Sequence, residues 1–133
     1  MDLYTNIRNL LIADATVQTL VGVGGLARVY RSWQRNYTTP AIIIQDDSDE
    51  LNNDLSGHSG FTVSDVAVTC RSDSSVGVDT LRAAVVPLLA GYTGAFDVVI
   101  DSIVSSVSPQ NIGGDTHWFD WTIQMSTLVS EAI

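Results

Sequence analysis

Phe119-Asp120-Trp121-Thr122-Ile123-Gln124-Met125-Ser126 is the stretch on which the reading of the fold turns. Phe119, Trp121, Ile123 and Met125, with Val129 beyond them, fall on one side of an extended chain. Asp120, Thr122, Gln124 and Ser126 fall on the other. Side chains of a β-strand alternate between faces with a period of two, so the pattern predicts a strand with one face on a core and the other polar.

Moving outward, Pro109-Gln110-Asn111-Ile112-Gly113-Gly114 reads as a turn. Before it, Phe96 to Ile100 reads as a strand, and the run from Ile103 to Val107 either continues it or forms another. Further back, Val78, Leu81, Ala84, Val85 and Leu88 recur at helical spacing behind the capping residues Asp73-Ser74-Ser75. Pro87 lacks the N–H that would bond the Ala83 carbonyl, so the last turn is expected to loosen, and Gly91 is the natural stop. Phe61 to Arg71 is a strand whose apolar residues change phase between Val63 and Val66, which predicts a β-bulge near Ser64-Asp65. Asp46 to Gly60, acidic and rich in Asn, predicts the mobile loop of a hairpin. Ala41-Ile42-Ile43-Ile44-Gln45 predicts a strand covered on both faces. Arg28-Val29-Tyr30 is a short strand followed by a loop from Arg31 to Pro40. Two helical patches, Leu3 to Leu11 and Val17 to Val21, the second capped by Asp14 or Thr16, open the chain. The order helix, strands, helix, strands predicts one α+β domain over residues 1–133, an antiparallel β-sheet with two main helices packed on one face.

Composition narrows the function classes. Six basic residues, all arginine, face fifteen acidic ones in 133 residues, a formal net charge of −9. Affinity for nucleic acid and for anionic membrane rests on Lys and Arg neutralising phosphate, so this balance argues against both. Lining a path that DNA slides through without adhering is compatible with it. The start MDLYTNIRNLL lacks a basic region followed by an apolar run, so no secretory signal is expected. The single Cys70 admits no internal disulfide and predicts a small core residue.

Chemical motifs fail one by one. An EF-hand reading of Asp47 to Asp54 needs an oxygen ligand and a glycine where Leu51 and Asn52 stand. Gly22-Val23-Gly24-Gly25 follows a helix and precedes a strand, the reverse of a dinucleotide-binding turn. His58 and His117 have no nucleophile at a recognisable spacing. No catalytic residue, cofactor or metal is expected. Two surfaces stand out instead. Arg31, Trp33, Arg35 and Tyr37 combine residue types enriched in interface hot spots, although Trp33 and Tyr37 could equally fold back onto the core. Asp46, Asp47, Asp49, Glu50 and Asp54 form an acidic loop that could face a lumen or a partner.

An ordered pattern ties these elements together. Asp14-Ala15-Thr16-Val17-Gln18-Thr19-Leu20-Val21-Gly22 closes a helical start, and Arg28-Val29-Tyr30 follows. Pro40-Ala41-Ile42-Ile43-Ile44, a glycine-bearing loop and Val66-Ala67-Val68-Thr69-Cys70-Arg71 come next. Leu81-Arg82-Ala83-Ala84-Val85 lies in a helix, and a Phe/Trp-rich strand ends the series. The chain in this respect resembles the small tail-completion proteins of long-tailed phages, a family that includes tail terminators and tail-to-head joining proteins. The Gly22 to Ala27 linker is longer, and the acidic segment heavier, than the family pattern. The resemblance implies a structural virion protein made in the host bacterial cytoplasm. It implies a ring of six copies that caps the tail tube, touches the tube protein and the head-tail connector, and lets DNA pass without specific binding. A head-completion adaptor on the portal side, or a small acidic regulatory module, are the competing readings.

Overall fold

The computed structural model describes residues 3–31, 40–54, 57–94, 96–109 and 117–130. The decisive alternation forms the middle of β5 (His117–Ser130), and its apolar face lies on the core as expected. The other strands are β1 (Val29–Tyr30), β2 (Ala41–Asp54), β3 (Gly57–Ser72) and β4 (Asp97–Pro109), arranged as β1-β2-β3-β5-β4. Ile44 pairs with Val68, Val68 with Ile123, and Ile123 with Ile103, so one apolar row crosses four strands. Such rows are the units of sheet stability, since each side chain meets its cross-strand neighbours as well as the layer above.

Three helices cover that face. α1 (Leu3–Ile12) buries Ile7 and Leu11, α2 (Ala15–Val21) buries Val17 and Val21, and α3 (Ser75–Leu89) buries Val78, Leu81, Val85 and Leu89. Each set keeps the three-to-four residue spacing of a single helix face. α2 has only seven residues and depends on its ends. The Val17 amide donates to Asp14 Oδ2 at 3.1 Å, and Gln18 Nε2 donates to the Ile12 carbonyl, tying α2 to the end of α1. Gly22, at φ 99°, turns the chain out of α2, a backbone conformation that suits glycine alone among common residues. A 3-10 turn, Gly24–Leu26, then leads into β1.

The topology contains a split crossover. β3 and β4 both run antiparallel to β5, hence parallel to each other, and α3 carries the chain from one to the other while β5 occupies the slot between them.

Four expectations change. First, the sheet is antiparallel except at β1, which pairs parallel with β2 (Val29 to Ile42, Tyr30 to Ile43). Secondly, the acidic segment is not a loop: β2 runs to Asp54, β3 resumes at Gly57, and the ladder persists to the Asp54–Gly57 pair. Asp and Asn are poor strand formers, but β5 backs β3 as far as Phe61 and the ladder propagates from β3 onto β2. Thirdly, the irregularity predicted near Ser64-Asp65 lies at that level of the sheet but on the other strand. Asp46 pairs with Val66 and Ser48 with Asp65, leaving Asp47 as the extra residue, while β3 matches β5 residue for residue. Fourthly, helical structure continues through Pro87 to Leu89, and the Ala90 amide bonds the Val86 carbonyl at 2.8 Å. The two runs of the fourth strand form one strand, with a register shift between Ile100 and Ser102.

Both faces of the sheet are buried over β2 and β3. Ala41, Ile42, Ile43 and Ile44 are fully buried, as a continuous β-branched run predicts, and Ala67 and Thr69 are buried on the face away from the helices. Over β4 that second face is open.

Candidate functional site

The chemically versatile side chains are committed to structure. Cys70 is buried in the core, and loss of solvation pushes its thiol up to about 12, far from the range of a nucleophile. His117 is exposed at the start of β5, and His58 lies on β3, where its side chain is outside the described part of the molecule. Among the described residues no group of three or more His, Cys, Asp or Glu side chains is placed to hold a metal ion.

The arginines are committed as well. Arg28, which stands between α2 and β1, donates from Nε to the Pro40 carbonyl at 2.9 Å and from Nη2 to the Leu20 carbonyl at 2.8 Å. It thereby satisfies a C-terminal carbonyl of α2 and fixes the entry to β2, a use of the guanidinium fork that a lysine would not reproduce. Arg8 caps the Gly24 carbonyl at 3.0 Å. Arg71 forms a two-pronged ion pair with Asp120 (2.8 and 2.7 Å) and lies 5.2 Å from the centroid of Trp118. Arg82 stacks 4.5 Å over Trp121, whose indole N–H donates to Asp79 at 2.7 Å. Every arginine among the described residues therefore has an internal partner, and the excess of carboxylates sets the surface potential.

Arg31 is exposed directly after β1, with its guanidinium 5.3 Å from the ring centroid of Tyr4 on α1. It is thus drawn towards the helical layer. Trp33, Arg35 and Tyr37, the other members of the expected contact surface, lie outside the described residues. Asp46, Asp47, Asp49, Glu50 and Asp54 are brought together on the outer half of β2. The last pairs of the β2–β3 ladder, Asn53–His58 and Asp54–Gly57, lie beyond Phe61, the last residue of β3 that pairs with β5 among the described residues.

Two features escaped the sequence reading. β4 is an edge strand of 13 residues, with β5 on one side and no described strand on the other. It carries Val99, Val104 and Val107, exposed by 63%, 54% and 60%. The available signal was Ser102-Ile103-Val104-Ser105-Ser106-Val107-Ser108, an apolar and serine mixture without a charge. The second feature is an open groove of about 670 Å³ between the start of α2 and α3, walled by Asp14, Thr16, Val76, Asp79, Pro87 and Leu88 among others. It joins residues 60 or more apart in sequence, and no local pattern announces it.

Comparisons with known proteins place the chain among its relatives. The family model described as tail completion protein gp17 matches residues 5–130. No curated protein sequence matches the chain. Among solved structures, a chain of the virion of a native gene transfer agent particle has the same fold, with a TM-score of 0.60 and 17% identity, covering 95% of this chain and 94% of that one.

Proposed function

The chain belongs to the tail completion protein gp17 family and is a structural protein of the phage tail, and from that premise we propose that it is the tail terminator. In this reading six copies form a ring on the end of the tail tube, stop its growth and present a surface to the head-tail connector. It works by binding and carries no catalytic role. The observation that carries the reading is the family match over residues 5–130, which takes in the fold from within α1 to the end of β5.

The electrostatics favour it. Each copy brings a formal −9, and five of the fifteen acids lie on β2 between Asp46 and Asp54. Placed towards the lumen, that segment repels the duplex phosphates and keeps DNA from adhering as it passes. Facing a neighbour, the same segment would need a basic or neutral surface opposite it. The exposed Arg31, with Trp33, Arg35 and Tyr37 beyond it, is the contact surface we assign to the tube or the connector.

Electron microscopy of particles assembled without this gene tests the role. Overlong tubes, or finished tails detached from DNA-filled heads, are expected. Tails of normal length beneath leaking heads would move the protein to an adaptor position on the portal side. Intact, infectious particles would overturn a structural role.

A further inference from the structure

We propose that the free edge of β4 is the seam between copies, and that it receives the outer edge of β2 from a second copy, extending the sheet from one subunit into the next. The proposal rests on the ring reading above and specifies how the ring is joined.

An edge strand presents a row of unsatisfied backbone N–H and C=O groups, and proteins normally blunt such edges with lysine, proline or shortness. β4 is long, lacks lysine and arginine, and has its one proline at its last residue, Pro109. Its register shift lies near one end, between Ile100 and Ser102, so the run from Ser102 onward pairs regularly with β5 and its other side stays free for a ladder. Val99 and Val104 stand exposed on the face away from the helices, so a strand added here would also cover apolar surface.

The second copy is indicated by what lies at the opposite side of the same sheet. β1 pairs with β2 only at Ile42 and Ile43, so from Ile44 outward no described strand lies against the outer side of β2. A molecule with two open edges on opposite sides joins head to tail. Such heterologous contacts close into rings when the rotation permits, whereas pairing β4 with β4 would stop at a dimer.

Charge fits the same pairing. The arriving β2 segment carries Asp46, Asp47, Asp49 and Glu50, and like charges placed opposite each other across a ladder repel. From Ser102 to Pro109 β4 holds no ionisable side chain, and its serines are hydroxyl donors to carboxylates. The nearest acid, Asp101, already accepts the Ser126 hydroxyl at 2.9 Å.

The test supplies variants of the whole chain to phage lacking the gene. Val104→Glu should prevent incorporation into particles, because it sets a carboxylate against the acidic strand, while Val104→Lys should be incorporated at least as well as the parent. Equal effects of the two would overturn the proposal. Circular dichroism of each purified variant checks that this exposed site leaves the monomer folded, and Val99→Glu with Val99→Lys repeats the comparison if it does not. In parallel, a photo-crosslinking residue at position 104 should yield adducts joining β4 of one copy to residues 44–50 of another. Adducts to a different protein, or none from particles that contain the chain, would overturn the seam. The ring reading fails separately, when particles lacking the gene are normal before any variant is supplied.

Discussion

Asp120 shows how a single residue can mislead. By alternation it belongs to the polar, solvent-facing side of β5. Yet it is 6% exposed, and its partner Arg71 is 11% exposed. A carboxylate so placed is tolerable only because both its oxygens accept from one guanidinium, which also rests on Trp118. Arg71→Ala leaves a buried charge unpaired and should cost about 3–5 kcal/mol in urea denaturation. Replacing both partners by apolar residues of similar size should cost less than either single change, and a larger loss in the double variant would refute this account. The strand was legible in the sequence, but the burial of its second face was not. Alternation reports which residues share a face and says nothing of what comes to cover it. Cys70 was legible, since a lone cysteine ending a strand is usually a small core residue. Its thiol holds its proton in the folded state up to about 12, against 9.0 when unfolded, so above pH 9 the unfolded chain binds fewer protons. Stability should therefore fall as pH rises from 9 towards 12, by up to about 1.4 kcal/mol per pH unit from this group. Cys70→Ala, compared with the parent across that window by denaturant titration, should show a shallower fall.

At the level of elements, helix starts were well read and the strand-rich middle was not. Capping is local chemistry: Asp14 and Ser74 each accept an amide bond three residues ahead, at 3.1 and 2.9 Å, and each stood among the two or three candidates the sequence offered at its helix start. The acidic outer half of β2 was read as a loop because its residues disfavour strands, and the support that holds it extended comes from β3, which is itself backed by β5 from far along the chain. Of the expected contact residues only Arg31 can be placed, since the next three fall outside the described part of the molecule. α3 offers two opposed tests. Its Gly77 would ordinarily be improved by alanine, but an added Cβ would stand 2.6 Å from Ser72 Oγ and 2.8 Å from Ser74 Oγ, the atom that caps the helix. Gly77→Ala should therefore displace the cap and cost about 1 kcal/mol, against the gain propensity alone predicts. Pro87→Ala restores a donor for the Ala83 carbonyl and should raise the melting temperature, with up to about 3 kcal/mol available. Thermal unfolding of both variants decides, and a more stable Gly77→Ala protein would show that the serines simply rotate away.

For the molecule as a whole, net charge and open edges pull in opposite directions. Nine excess negative charges per copy repel free subunits, most strongly at low ionic strength. The isolated protein should therefore sediment as a monomer in dilute, low-salt buffer and form the ring only where a tube end templates it. A stable hexamer under those conditions would contradict this. The position of β5 has a consequence of another kind, for the order in which the protein comes into being. β5 lies between β3 and β4 in the sheet, and it follows both of them in the chain. As the polypeptide leaves the ribosome, α3 can carry β4 alongside β3 only across an empty slot, and neither strand can complete its ladder until β5 arrives. Such non-local closure is slow to form. Until then β3 and β4 each keep one edge open towards the slot, so exchange of the last strand between newly made copies should be easiest at that stage.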